Sequence, residues 1–277
     1  MSGSPGPTRI ESARNPRVRA ALELRDRRAR DRAGLTLVDG LREVGRALDG
    51  GVAIVEAFID EAATDVAITA LAARLSAAGA RVHPTAGPAL DRLGFGDRTE
   101  GIVAVVLTPS TTLAGLALPD DPLIVVLEGV EKPGNLGAVL RSADGAGADA
   151  VLVADPTTDP WNPNAIRASL GTIFGRPVVT ATSTDVLAFL RAHAIRPVAA
   201  IVEASEAYTD ANLDGPLALI LGSETEGLGP MWRADDIERV RLPMHGLADS
   251  LNVSVAAAIL LYEARRQRGA PRRRPGA

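Results

Sequence analysis

The chain has 277 residues, 46% of them hydrophobic and 3% aromatic, with a net charge of −4. That is enough apolar material for a substantial core, in a length that suits two domains better than one. Without cysteine and with only three histidines, disulfides, thiolate zinc sites and cysteine nucleophiles are excluded and little remains for a metal site, so any cofactor is expected to be organic. No apolar stretch approaches the ~20 residues of a membrane span. The start, Met1-Ser2-Gly3-Ser4-Pro5-Gly6-Pro7, lacks an apolar signal core, and a soluble, cytoplasmic protein is the expectation.

Residues 1–8 are rich in Gly, Ser and Pro and are expected to be disordered. A helix is predicted from Pro16 to Arg32. Between Arg9 and Arg32 nine arginines stand against four acids, so this stretch is basic although the whole chain is not. Arg14, Arg17, Arg19, Arg25, Arg27 and Arg28 are therefore candidate RNA-phosphate contacts, the plainer alternative being a solvated helix face. Apolar runs then alternate with Ala/Leu-rich stretches. Strands are predicted at Leu35 to Val38, Ala53 to Ile59, Arg81 to Pro84 and Ile102 to Leu107, and helices from about Leu41 and over Val66 to Ala78. The pattern is that of a small α/β sandwich over residues 9–108. A proline-punctuated, aperiodic linker follows at 109–121.

After the linker the alternation restarts. Strands are predicted at 123–128, 149–154, 177–180, 197–202, 217–221 and 238–242, and helices at about 136–146, 163–170, 184–193 and 251–268. A parallel-sheet α/β domain over 122–268 fits this order. Residues 269–277, with Arg272, Arg273 and Arg274, form an expected disordered basic tail.

Three segments of this second half stand where apolar runs open into loops: Gly134-Asn135-Leu136-Gly137 followed by Arg141, then Gly222-Ser223-Glu224-Thr225-Glu226-Gly227, then Leu242-Pro243-Met244 with Ser250-Leu251-Asn252-Val253-Ser254. Loops at the carboxyl ends of parallel strands form ligand crevices. Gly145-Ala146-Gly147-Ala148 is no dinucleotide fingerprint, because it lacks the third glycine and ends a helix instead of following a strand. Trp161, ahead of a helix start, is equally suited to stacking on an exposed base and to anchoring its loop. Val255, Ile259 and Tyr262 have helical spacing that suits either an interface or the core.

In order, residue types and spacing, these three segments resemble the TrmH/SpoU-like branch of the SPOUT RNA ribose 2′-O-methyltransferases. The resemblance covers roughly Pro122 to Arg268, with a weaker likeness through the amino-terminal region. It implies an α/β trefoil-knot methyltransferase domain preceded by a smaller α/β RNA substrate-binding domain, a homodimer formed through the carboxy-terminal domain, and S-adenosyl-L-methionine as cofactor. It assigns Asn135, Arg141, Glu224, Ser250 and Asn252 to the catalytic centre, with Glu224 supporting Arg141. It assigns Gly222, Leu242, Met244, Leu251 and Ile201 to the cofactor pocket. No metal is implied. Guanidinium is effectively always protonated, so Arg141 reads better as a phosphate clamp that stabilises a developing alkoxide than as a general base; the plainest alternative is an ion pair with Asp144. The serine and asparagine near the last helix also suit capping, as does Asp249. The expected substrate is structured ribosomal RNA, specifically 23S. Transfer RNA, a non-catalytic RNA-binding assembly factor and a small-molecule nucleotide enzyme are the alternatives.

Overall fold

The computed structural model describes residues 8–95 and 100–269. The expected disordered start before Thr8 and the arginines of the tail lie outside the described residues. Contacts divide the chain into two units, Met1–Pro109 with Trp161–Gly175, and Ser110–Pro160 with Arg176–Ala277.

The first unit contains α1 (Pro16–Glu23), α2 (Arg27–Ala33), β1 (Leu35–Asp39), α3 (Leu41–Asp49), β2 (Ile54–Asp60), α4 (Val66–Ala77), β3 (Arg81–Thr85), α5 (Gly87–Leu93) and β4 (Ile102–Leu107). Its sheet has the order β1-β4-β2-β3, with β2 and β3 parallel and the other pairs antiparallel. One core gathers Ile10, Val18, Leu24, Leu37, Phe58, Leu90, Leu93 and Val103.

The single helix expected over Pro16 to Arg32 is two. Asp26 caps α2 through the Ala29 amide at 3.1 Å, and the buried Arg30 guanidinium donates to the carbonyls of Leu24 at 3.0 Å and Arg25 at 2.9 Å. A capping carboxylate and an arginine satisfying the carbonyls at the end of α1 make the break favourable where periodicity alone runs on. The short helix α5, opened by Pro88 in its first turn, was not predicted.

The second unit holds β5 (Leu123–Glu128), α6 (Pro133–Ala146), β6 (Ala150–Ala154), β7 (Val178–Ala181), α8 (Ser183–Ala192), β8 (Arg196–Ala200), β9 (Glu206–Ala207), β10 (Leu217–Leu221), β11 (Glu238–Arg241) and α9 (Val253–Gln267). The intervening α7 (Pro163–Ala168) belongs to the first unit. The sheet runs β7-β6-β5-β10-β8-β11-β9 and every pairing is parallel. Its central strands are buried along nearly their whole length, as a parallel sheet covered on both faces requires. β5 and β10 are neighbours with Leu127 opposite Leu221, so the loops that leave them start side by side.

The sequence expectation placed residues 161–175 in the methyltransferase domain; their contacts put them in the first unit. Thr36 Oγ1 donates to the Trp161 carbonyl at 2.7 Å, Arg46 donates to the Leu170 carbonyl at 2.6 Å, and the Arg167 guanidinium lies 3.5 Å from the Asp39 carboxylate. Linear patterning cannot register a segment whose partners are more than a hundred residues away.

Candidate active site

The helix α6 starts earlier than expected. Pro133 takes the first helical position, where no amide hydrogen is needed, and Gly134, Asn135 and Gly137 lie within the helix instead of forming a turn before it. Asn135 thereby sits in the first turn. α9 packs along α6, and Asn252 caps it, its Oδ1 accepting from the Ser254 amide at 3.0 Å and the Ser254 hydroxyl at 2.6 Å. The cap is thus Asn252, and neither Ser250 nor Asp249. At the other end Arg265 donates to the carbonyls of Ala146 and Gly147, at 2.7 and 2.9 Å. The two helices therefore run parallel, with their amino termini together.

Glu224 joins those termini to the loop after β10. Its Oε1 accepts from Asn135 Nδ2 at 2.6 Å and from Asn252 Nδ2, while its Oε2 accepts from Lys132 Nζ at 2.9 Å. Asn252 Nδ2 also reaches Asn135 Oδ1 at 3.3 Å. Three segments separated by up to 117 residues thus share one hydrogen-bonded cluster. The hydrogen bond from the Lys132 ammonium, aided by the Asn135 amide, holds the Glu224 carboxyl below the usual carboxylate range, and Glu224 in turn raises the lysine above its own.

The loop that carries Glu224 is held at both ends. A Cβ at Gly222 would collide with the backbone of Gly227 and Leu228, so only glycine permits the close pass of the two sides of the loop. Within it the Glu226 amide donates to Ser223 Oγ at 3.0 Å, and Gly227 takes φ 67°. Beyond it the Glu128 carboxylate, at the end of β5, accepts from the Gly229 amide at 2.7 Å, the buried Trp232 indole at 2.6 Å and the Ser183 hydroxyl at 2.7 Å. Glu128 therefore ties the end of β5 to the segment following the loop.

Next to this cluster lies a cavity of about 310 Å³. All five residues expected around the cofactor, Ile201, Gly222, Leu242, Met244 and Leu251, are in its wall, together with Ser250 and Glu224. Leu221, Val253 and Leu260 extend the apolar part. Apolar walls with a few polar groups and exposed loop backbone suit a nucleoside with an amino-acid tail. Among the described residues no group of three or more His, Asp or Glu is arranged to hold a metal ion.

Arg141 stands apart. It is exposed on α6, six residues after Asn135 and so about 120° around the helix from it, and its side chain has no hydrogen bond or ion pair to another described residue. Neither partner expected for it is in contact: Glu224 is taken up by Lys132 and the two asparagines, and Asp144 lies 4.0 Å from Arg176. Glu226, two residues further along the same loop, lines the cavity but makes no side-chain bond into the cluster.

In the first unit the six candidate arginines divide. Arg17 pairs with the buried Glu56 at 3.0 Å. Arg25 donates to the carbonyls of Arg92, Leu93 and Gly94 and lies over the Phe95 ring, 4.7 Å from its centroid. Arg27 lies 3.7 Å from Asp31. Arg14, Arg19 and Arg28 are exposed. Trp161 stacks on Phe174 with centroids 6.1 Å apart and planes at 22°, which favours loop anchoring over base stacking. Sequence reasoning assigned no role to Lys132 or Glu128; the signal available for the first was that it is the sole lysine of the chain.

An α/β domain with an adenosyl-sized cavity at the carboxyl ends of its parallel strands, beside a charged and amide-rich cluster, has the architecture of a group-transfer enzyme. Residues 122–262 match the SpoU rRNA Methylase family and residues 15–104 match the MRM3-like substrate binding domain. The 23S rRNA (guanosine-2′-O-)-methyltransferase RlmB of Yersinia pestis is 35% identical over 220 residues, covering 77% of this chain and 89% of that protein. A crystal structure of an RNA 2′-O ribose methyltransferase is 40% identical with a TM-score of 0.82, over 94% of this chain and 98% of that one. The SpoU methyltransferase AviRb of Streptomyces viridochromogenes, in complex with the cofactor AdoMet, is 31% identical with a TM-score of 0.84, over 92% and 98%. The chain belongs to the SpoU rRNA methylase family. It is an S-adenosyl-L-methionine-dependent RNA ribose 2′-O-methyltransferase, with a SPOUT domain preceded by a smaller α/β domain.

Proposed function

We propose that the enzyme methylates one ribose 2′-hydroxyl of 23S ribosomal RNA. The observation that carries this reading is the meeting of Asn135, Glu224 and Asn252 in one cluster beside a cavity walled by Ile201, Gly222, Leu242, Met244 and Leu251. The RlmB of Yersinia pestis, matched over 89% of its own length, acts by its name on that RNA.

S-adenosyl-L-methionine, bound in the cavity, supplies an electrophilic methyl group. The chain's task is to align the 2′-hydroxyl with it and to manage the charge that develops on the oxygen. Asn135 offers both a donor and an acceptor, and Glu224 and Asn252 fix its orientation. The unengaged guanidinium of Arg141 binds the RNA phosphate bidentately and stabilises the alkoxide. Ser250, exposed on the cavity rim, contacts cofactor or ribose. In the first unit Arg14, Arg19 and Arg28 supply free guanidinium groups for phosphate, while Arg17, Arg25 and Arg27 are largely committed to the fold. The enzyme works as a cytoplasmic homodimer through α9, where Val255 and Tyr262 are 46% and 55% exposed.

Transfer of labelled methyl groups to deproteinised ribosomal RNA and bulk transfer RNA, comparing wild type with Arg141→Ala, tests the reading. Incorporation at one ribose of 23S RNA, mapped by resistance to alkaline cleavage and lost in the variant, is the expected result. Incorporation into transfer RNA alone reassigns the substrate. Absence of both methyl transfer and cofactor binding favours a non-catalytic RNA-binding role.

A further inference from the structure

The geometry points to Lys132 as a positioning residue for methyl transfer, acting through Glu224 and not through the RNA. This rests on the reading above that Glu224, Asn135 and Asn252 form the catalytic cluster. Lys132 immediately precedes α6, and its ammonium takes one carboxylate oxygen of Glu224 while the two asparagine amides share the other. A carboxylate bonded at one oxygen only can swing about its last torsion; one anchored at both cannot, because the lysine and the amides pull on opposite oxygens. Fixing that plane fixes the two amide donors that face it. Asn135 is then left with its carbonyl oxygen directed by Asn252 alone, in the orientation the ribose meets.

The side chains concerned differ in exposure in a way that suits this role. Lys132 is 71% exposed and Glu224 28%, so the ammonium closes the solvent side of the carboxylate. The charged groups around Glu224 are Lys132 and Glu131 before α6, Glu226 in its own loop, Glu203 and Arg233 on the cavity wall, and Asp249 ahead of α9. Lys132 is the one cation among them with a hydrogen bond to Glu224. Sequence composition makes the choice of residue notable: the chain uses arginine at every other basic position. A guanidinium is a wide planar fork that prefers both oxygens of one carboxylate, whereas an ammonium is a compact charge that satisfies one and leaves the second to the asparagines.

A single lysine also makes the test direct. Reductive methylation of the full-length protein with ¹³C-formaldehyde labels Lys132 and the α-amino group, which titrates near ~8 and is readily told apart. The lysine signal is expected to titrate at a higher pH in the wild type than in Glu224→Gln. The same titration in both proteins overturns the link between the two residues. In the methyl-transfer assay with unmodified protein, Lys132→Met is expected to lower kcat roughly ten-fold while KM for RNA stays within about two-fold, and Lys132→Arg to recover part of the loss. A rise in KM with kcat unchanged overturns the proposal in favour of a direct phosphate contact. If the wild type methylates no RNA, the functional reading fails, whereas the titration still decides whether Lys132 holds Glu224.

Discussion

The amino-terminal arginine segment and the Glu224 cluster make opposite use of sequence distance. In the first, six candidate arginines lie within 15 residues, yet the fold sends Arg17 to a buried carboxylate and Arg25 to helix-end carbonyls, and leaves Arg14, Arg19 and Arg28 in water. In the second, Asn135, Glu224 and Asn252 are far apart in sequence and meet within hydrogen-bonding distance. A run of like residues on short helices is spread around their axes, whereas loops leaving adjacent parallel strands converge by construction. Clustering in sequence is therefore the weaker guide to a shared task.

The largest effect that can break this contrast is expected at Arg141. Arg141→Ala should lower kcat by on the order of 100-fold or more, as loss of a group stabilising transition-state charge does. Its exposure and its lack of side-chain partners among the described residues mean that thermal stability and S-adenosyl-L-methionine affinity, read by differential scanning fluorimetry and calorimetry, should be unchanged. A loss of stability instead would make Arg141 structural.

Gly222→Ala comes next. The added methyl meets the backbone of Gly227 and Leu228, not a flexible side chain, so the loop must open. Cofactor affinity should fall about ten-fold or more, since backbone strain of ~1–3 kcal/mol is imposed on the bound geometry. Calorimetric titration with the cofactor checks this.

The arginine segment is sharpened by a pairwise comparison. Arg19→Glu combined with Arg28→Glu should raise KM for RNA several-fold, with a shallower dependence on salt than the wild type and no change in Tm. Arg17→Ala should do the reverse. It removes the 3.0 Å partner of Glu56 and should cost about 1–2 kcal/mol of stability in denaturant unfolding, with KM little altered. Equal effects on KM would return the whole segment to RNA binding.

The smallest effect is a pH dependence in the first unit. Burial pushes the Asp39 carboxyl above its usual range, against the opposing Phe95 amide and Arg167, and Asp39 Oδ1 has no hydrogen-bond partner among the described residues. With the folded-state value above the ordinary 3.8, this group favours the folded state most when protonated, below that ordinary value, and the advantage is lost as pH rises through the higher folded value. Asp39→Asn should therefore raise the melting temperature at neutral pH and lose that gain near pH 4. A melting temperature unchanged at every pH would show that the Arg167 contact fully offsets the burial.

Most strands were legible because apolar runs of four to seven residues leave few alternatives. β5, β10 and β4 fall where the runs predicted them. Boundaries set by a single capping side chain were not legible: Asp26 splits the first helix, and Pro133 draws Asn135 into α6. For the site, the residues named from the motifs line one cavity and one cluster, apart from Arg141, which the structure leaves unengaged. Lys132 and Glu128 escaped notice because neither residue type signals a role until its partner is known, and those partners are Glu224, 92 residues away, and Trp232, 104 residues away.

The sequence by itself determined the α/β alternation, the glycine-permitted loop at Gly222 and the residue types available for chemistry, because periodicity and backbone permissiveness are local properties. Only the tertiary structure decided that Trp161–Gly175 joins the first unit, that Arg17 and Arg25 are committed to the fold, and that one carboxylate gathers Lys132, Asn135 and Asn252. The physical reason is that hydrogen bonds and ion pairs act over about 3 Å in space with no regard for chain separation, and the strand order that sets those distances is not a local property of any segment.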